Sequence, residues 1–217
     1  LKRRGKVERR LDNLKLQALR AQMNPHFIFN ALNSIQHFIN SNEKRQANNY
    51  LSLFAKLMRL VLQNSKAPYV LIEDDLEALR LYIEIEQTRF EQAFEYDIKI
   101  GPSIDVSAMT IPPLLIQPFV ENCINHGFAR MKRKGQIKLE LQLNGDELIC
   151  TIEDNGIGRD AANQLNQKLR KAHASAATSI TQDRLATMKH KYRDQLTLEI
   201  EDLYASGEPS GTRVTLH

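Results

Sequence analysis

His26 and Asn30 stand four residues apart, on one face of a stretch otherwise rich in apolar side chains. An imidazole has a pKa of about 6.5, so at pH 7 much of it is neutral and one ring nitrogen is free to act as a nucleophile. Taken alone, a histidine beside apolar residues is more often a hydrogen-bonded structural side chain. A second polar group, Glu121, Asn122, Asn125 and His126 with Gly127, interrupts a run lined by Leu114, Leu115, Ile116, Phe119, Val120 and Ile124. Oxygen ligands of this kind suit Mg2+, which is held by few protein groups together with waters and phosphates. Capping of neighbouring loops by Asn122 and Asn125 is the plainer alternative. A third group, Asp154-Asn155-Gly156-Ile157-Gly158, leaves a strand and enters a helix. The Asp154 carboxylate accepts but cannot donate, so it can receive a proton from an exocyclic amine such as that of adenine. Glycines at alternate positions allow a tight turn and a close approach to a ligand, although a strand-to-helix turn needs no ligand. Gly211-Thr212 offers one more close approach, and it too is explicable as a turn.

The elements that carry these groups fall into two regions. Apolar residues recur at alternating spacings of four and three from Val7 and Leu11 through Ala21, Pro25, Ile28, Leu32 and Ile35 to Ile39. Sustained over this length, the seam predicts a long helix that pairs with a partner helix. Pro25 interrupts it and predicts a bend just before His26. After a break at Asn40 to Glu43, residues 43–65 form a second helix with two apolar stripes, Leu51, Phe54, Met58 and Val61 on one and Leu53, Leu57 and Leu60 on the other. Burial on two sides is beyond a lone hairpin and fits two hairpins packed as a dimeric four-helix bundle. Pro68 biases Ala67 away from helix and marks a boundary, dividing the chain into 1–67 and 68–217.

In the second region Tyr69 to Ile72 reads as a short strand and residues from Glu73 or Asp74 to about Phe94 as a helix, on which Glu86 is an odd polar member of an apolar stripe and calls for a basic partner. Tyr96, Ile98 and Ile100 alternate as a strand, Gly101 to Thr110 is a loop, and Pro112-Pro113 opens a helix from about Leu114 to Phe128. Strands over Gln136–Leu143 and Glu147–Glu153 flank the Asn144-Gly145 turn signal. Helices follow over Arg159–Leu169 and Ile180–Tyr192, with Lys171 to Ser179 either a lid or a helical continuation, and strands over Gln195–Glu201 and Arg213–Leu216 close the sheet. The fold class is α+β: a helical hairpin followed by a two-layer α/β sandwich with a mixed sheet of five strands and helices on one face. This pattern, with no Gly-rich loop ending in Gly-Lys-Ser or Gly-Lys-Thr, excludes a Rossmann or P-loop nucleotide domain.

Bulk properties set few further limits. The chain has 217 residues, 42% hydrophobic and 26% charged, with a formal net charge of +4. Basic residues cluster at Lys2 to Arg10, a stretch short for nucleic acid and equally suited to an anionic membrane surface, and at Arg130 to Lys134, either a solvated cap or a phosphate contact. The two cysteines, Cys123 and Cys150, make neither a metal pattern nor a disulfide framework and fit a reducing compartment. No stretch reaches the roughly 18 apolar residues of a membrane span. The chain starts at Leu1 inside a charged amphipathic stretch and is read as a piece of a longer protein.

Together, the segments Gln22 to Gln36 (QMNPHFIFNALNSIQ), Ile111 to Gly127 (IPPLLIQPFVENCINHG), Glu153 to Gly158 (EDNGIG) and Gly211 to Leu216 (GTRVTL) resemble sensor histidine kinases of the LytS/YehU type, over essentially the whole chain. The resemblance implies that His26 is the phosphoacceptor and that the C-terminal region is a Bergerat-type (GHKL) ATP-binding domain. It also implies that Asn122 binds Mg2+, that Asp154 recognises adenine, and that Gly156 and Gly158 form the first glycine box, with Gly211 and Thr212 resembling the last. Asn125 and His126 complete the expected nucleotide contacts. Such proteins are homodimers on the cytoplasmic face of the bacterial inner membrane, anchored by helices absent here. They pass phosphate to a response regulator, often one with a LytTR DNA-binding domain.

The sequence departs from that pattern in two places. Asn125 stands where many members have a lysine that could meet phosphate, and Ser175 to Thr181 lacks the glycine box that usually precedes the late helix. Lys171, Arg184 and the basic run after Phe128 are the candidates to compensate. Phe27 follows the histidine where many other histidine kinases have an acid, so a proton acceptor must come from elsewhere, and Glu121 is the candidate; Asn30 is placed to orient the ring or meet the phosphoryl group. The alternative that these departures motivate is a kinase-like signalling scaffold working through dimer conformation. Direct nucleic-acid binding is not expected, since no helix carries clustered base-reading side chains.

Overall fold

The computed structural model describes residues 25–128, 131, 133–159, 197–205 and 208–217. Helices α1 (Pro25–Asn40) and α2 (Lys44–Asn64) form a hairpin. The face of α1 buried within the chain is Phe27, Ala31 and Phe38, with Ile35 of the heptad stripe partly buried against the same core. Leu32 and Ile39 of that stripe stay 51% and 61% exposed. The aromatic rings decide this choice, because their large area gains most from burial. Phe27 sits against Phe54 of α2, with ring centroids 6.1 Å apart, and Phe38 lies 5.8 Å from Tyr50. The bend expected before His26 and the seam from Val7 to Ala21 lie outside the described residues.

A short strand β1 (Val70–Leu71) leads into α3 (Ile72–Arg89), the helix that joins the two regions. Its first backbone N–H groups have no partner within the helix and go instead to the loop 101–110: Ile72 donates to Met109 O and Glu73 to Val106 O. Glu73, Asp74 and Asp75 in the first turn favour the positive end of the helix dipole. α3 is buried on both sides. Tyr82 meets Phe27 of the hairpin at 5.1 Å between centroids, Lys56 of α2 pairs with Glu77 at 2.6 Å, and Leu76, Leu79 and Ile83 belong to the same core as the sheet residues Ile137 and Ile152. One hydrophobic core therefore runs from the hairpin into the sheet.

Helix α3 ends earlier than the expected Phe94. Glu91 and Gln92 take left-handed backbone (φ 51° and 60°), which turns the chain, and Phe94 becomes the first residue of β2 (Phe94–Ile100). The Gln87 amide holds the turn by donating to Phe94 O at 2.9 Å. The loop expected over Gly101 to Thr110 ends in a strand that sequence reading left out, β3 (Thr110–Ile111), antiparallel to β1.

The main sheet contains β2, β4 (Gly135–Asn144), β5 (Glu147–Asp154), β6 (Leu198–Ala205) and β7 (Glu208–Leu216) in the order β2-β4-β5-β7-β6. β2 and β4 are parallel and the other pairs antiparallel, so the sheet is mixed, as expected. Ile137, Leu139, Leu141, Cys150 and Ile152 all point into the core. The described chain is thus a mixed α+β fold of the GHKL-like kind. The helices expected over 159–192 lie outside the described residues. Among those described, no helix is long and apolar enough to cross a membrane.

Because Tyr82 bridges the hairpin and the remainder, Tyr82→Ala is expected to lower the unfolding free energy by about 3–5 kcal/mol. Urea titration followed at a helical and a sheet signal checks this; the two are expected to shift together.

Candidate nucleotide site

The second polar group lies on α4 (Gln117–Asn122) and the wide π-helical turn Cys123–Gly127 that continues it. The regular helix expected over Leu114–Phe128 is therefore replaced by two shorter pieces. At its start Leu114 has φ 56°, a left-handed conformation, and its N–H donates to the buried Asp75 carboxylate at 2.6 Å. At its end Phe128 N–H reaches back to Cys123 O at 2.9 Å, the five-residue step that defines a π turn. The extra residue widens the helix where Asn122, Asn125 and His126 sit, all half-buried. Burial holds the His126 pKa below the ordinary imidazole value, so the ring is neutral at pH 7.

Asp154 closes β5 and is 6% exposed. Its Oδ1 accepts the Gly156 N–H at 2.7 Å. Burial pushes its carboxyl above the usual range, while hydrogen bonds from Gly156, Cys123 and the Thr212 backbone oppose that rise. The turn after it is held against the π turn by Ile157 N–H donating to Gly127 O at 2.9 Å. The glycines serve this packing of backbone on backbone. A Cβ on Gly156 would come within 2.6 Å of the Gly127 Cα. One on Gly211, whose φ is +145°, would overlap the Asp154 carbonyl oxygen. Close approach was expected toward a ligand; here Gly156 and Gly211 first need it toward other parts of the chain.

Three of the four sequence-predicted groups therefore converge: the end of α4 at Asn122 with the π turn that carries Cys123, Asn125, His126 and Gly127; the Asp154 to Gly158 turn; and Gly211-Thr212 on β7, paired through Thr212 with Asp154. The fourth, His26 with Asn30, lies on α1, whose Phe27 packs on the hairpin side of α3. Glu121 is 2% exposed and bonded to Gln117 at 2.8 Å. It adds to the burial that raises the Glu86 carboxyl, which the neighbouring Arg89 guanidinium opposes, so Glu121 faces the interior of the helical layer. Glu86 finds the basic partner expected of it in Arg89.

Of the basic run, Arg133 and Lys134 are among the described residues and act as struts. Arg133 donates to Asn155 O at 2.6 Å, and Lys134 pairs with Glu95. Lys171 and Arg184 lie outside the described residues. Sequence reading missed Asp75 beneath the Leu114 corner and the Arg159–Asp202 pair (2.8 and 2.6 Å) that ties the end of the Asp154 turn to β6. Both join residues tens of positions apart, for which periodicity carries no signal. Among the described residues no cluster of three or more His, Cys, Asp or Glu forms a metal cage.

The donor set suits a purine nucleotide held with a hydrated cation. Asp154 is a buried carboxylate able to accept from an amine, and Asn122 at the end of α4 and Asn125 in the π turn are half-buried amides. A mixed sheet under helices with such a turn defines a GHKL-like domain. Residues 14–94 match the family described as histidine kinase. Sensor histidine kinase BtsS of Escherichia coli (strain K12) is 34% identical over 158 residues, 70% of this chain and 27% of that protein. Sensor protein LytS of Staphylococcus haemolyticus is 31% identical over 150 residues, 69% of this chain and 25% of that protein. A solved structure described as a bacterial phosphotransferase superposes over 94% of this chain and 95% of its own, with a TM-score of 0.50 at 13% identity, a likeness of fold alone. By these matches the chain is similar to sensor histidine kinases, and the LytS and BtsS types are not told apart. It spans about a quarter of the length of the curated relatives it matches.

Gly211→Ala places a methyl group against the Asp154 carbonyl in a conformation alanine resists, and is expected to cost about 3 kcal/mol of stability. Thermal unfolding of the variant beside wild type measures it.

Proposed function

We propose that this chain is the kinase portion of a two-component sensor: it binds Mg2+-ATP, phosphorylates His26 and passes the phosphoryl group to an aspartate of a response regulator. The observation that carries the reading is the convergence of the π turn, the Asp154 turn and Gly211-Thr212 around one buried carboxylate. In this reading Asp154 accepts the exocyclic amine of adenine, and Asn122 holds Mg2+, with Asn125 and His126 beside the phosphates. Mg2+, when bound, supplies charge neutralisation at the phosphates. The unprotonated ring nitrogen of His26 forms a bond to the γ-phosphorus as the bond to ADP breaks, and the chain's task is positioning. Asn30, one turn on, orients the ring or meets the phosphoryl group. Glu121 as proton acceptor requires it to leave its buried contact with Gln117.

The reading divides the chain into a phosphoacceptor and dimerisation unit over 1–67 and an ATP-binding unit over 68–217. The exposed stripe of Leu32 and Ile39, continuing the heptads from Val7, is the surface on which a second copy would complete a four-helix bundle. The full-length protein would be anchored in the bacterial cytoplasmic membrane, with this portion on the cytoplasmic side and a response regulator, in some cases of the LytTR type, as partner. A second reading, a signalling scaffold with little or no catalysis, draws on Asn125 in place of a phosphate-binding lysine and on the engagement of Arg133 and Lys134 elsewhere.

Incubation with γ-32P-ATP and Mg2+ is expected to put acid-labile label on wild type and none on His26→Gln. Equal labelling of both would sink the assignment of His26, and an unlabelled wild type that still binds ATP favours the scaffold. A second expectation concerns pH. Adenine recognition needs Asp154 ionised, and burial raises its pKa. On acidification ATP affinity should therefore fall before the pH reaches about 3.9, the value of an exposed aspartate. Asp154→Asn should bind weakly without that pH dependence; calorimetric titration over a pH series tests both.

A further inference from the structure

Asn155 follows the carboxylate on which the proposed reading rests, yet that reading gives it no task. Among the described residues its hydrogen bonds run to Gln136 at the start of β4 and to Arg133 and Lys134 just before it. The pairing of β5 with β4 ends at Asp154 opposite Ile137, after which the chain veers toward Gly156. Asn155 N–H still donates to Gln136 O at 3.2 Å, one last rung of the ladder. Its side chain then replaces the backbone that has turned away. Oδ1 accepts the Gln136 N–H at 2.8 Å, and Nδ2 donates to Lys134 O at 3.2 Å. From the far side the Arg133 guanidinium donates to Asn155 O at 2.6 Å.

A carboxamide is suited to this place because it offers one acceptor and one donor on a planar group. Aspartate would keep the acceptor for Gln136 and set a second acceptor against the Lys134 carbonyl. Alanine would leave both β4 groups without their partner. Asp154 is paired with Ile137 on β4 and Thr212 on β7, and the plane of residue 155 continues that backbone on its C-terminal side, so it bears on the line along which the Asp154 carboxylate faces the site. The carboxylate itself is held by Gly156 N–H on Oδ1 within the same turn and by Cys123 and the Thr212 backbone from other segments. The clamp to β4 anchors the turn to the sheet.

We propose that Asn155 is a positioning residue for base recognition: by standing in for the missing rung between β5 and β4 it sets the direction of the Asp154 carboxylate, and through it the preference for an adenine over a guanine nucleotide. This rests on the reading of Asp154 as the adenine acceptor. A guanine presents a carbonyl where adenine presents its exocyclic amine, so a fixed acceptor rejects it, and a loosened one rejects it less.

The test compares Asn155→Ala and Asn155→Asp with wild type by calorimetric titration with Mg2+-ATP and Mg2+-GTP, alongside thermal unfolding. ATP affinity is expected to fall by about tenfold in Asn155→Ala, with a smaller fall for GTP, so that the ATP-over-GTP preference shrinks. Asn155→Asp should move the same way, since it loses the bond to Lys134 O. Unchanged ATP affinity in a folded variant overturns the proposal. So does an equal loss for both nucleotides, which a merely structural role would give. If Asn155→Ala does not fold, Asn155→Asp, which keeps the size and the Gln136 acceptor, decides by the same criteria. Wild type that binds neither nucleotide overturns the ATP reading and this one together; normal wild-type binding with unaltered variants overturns only the role of Asn155.

Discussion

The end of β5 is where this fold is most constrained. Asp154 carries a charge-bearing group into a place 6% exposed, and such a group is tolerated only when its oxygens are partnered. The partners come from separate parts of the chain: Gly156 from its own turn, Cys123 from the π turn, and the Thr212 backbone from β7. To bring those segments close enough, side chains must be absent at Gly156 and Gly211. The same glycines that look in sequence like a ligand cradle are thus needed before any ligand arrives. A buried carboxylate whose surroundings are set by backbone is pre-organised, and its direction costs nothing further when a partner is met.

Around that point the remaining elements act as supports at increasing distance. Asn155 and Arg133 tie the turn to β4, Arg159 ties it to Asp202 on β6, and Arg213 of β7 bridges Glu153 and Glu201 on the two flanking strands. The charged pairs at the surface add little stability individually, but they pin adjacent strands in register where the sheet carries the site. The helical layer is supported differently. α3 is shared: its Tyr82 meets the hairpin, its Asp75 holds the Leu114 corner of α4, and its Glu86 lies in the field of Glu121. α3 thus contacts both the hairpin and the segment that leads into α4, the helix ending at Asn122.

Much of the architecture was legible from short-range pattern. The alternation from Ile137 to Leu143 and the Asn144-Gly145 signal mark the β4–β5 hairpin, because a strand with one buried face repeats every two residues. The break at Asn40 to Glu43 marks a helix end for an equally local reason, whereas the prolines at 112 and 113 precede a left-handed Leu114 and the helix starts only at Gln117. Boundaries failed where a local rule was overridden. Phe94 continues the apolar period of α3, but left-handed backbone at Glu91 and Gln92 stops the helix and gives Phe94 to β2. The π turn left no mark in the residue types of Cys123 to Gly127, since an inserted helical residue changes phase and not composition.

For the site, the residue types alone singled out the candidate groups: a histidine with an asparagine one turn on, a polar face on an apolar helix, and an aspartate before alternating glycines. Spacing sufficed because each group is contiguous or lies within a turn or two. Tertiary structure decided which of them meet. Asp154, Gly127 and Gly211 come together only through strand pairing across tens of residues, and Glu121 is turned inward by the contact with Gln117. It also decided which face of α1 is buried in the chain, since the heptad stripe and the Phe27–Phe38 face are both apolar and the packing of Phe27 and Phe38 on α2 and α3 selects between them. A periodic pattern states that a face must be covered; what covers it depends on where the other elements are packed.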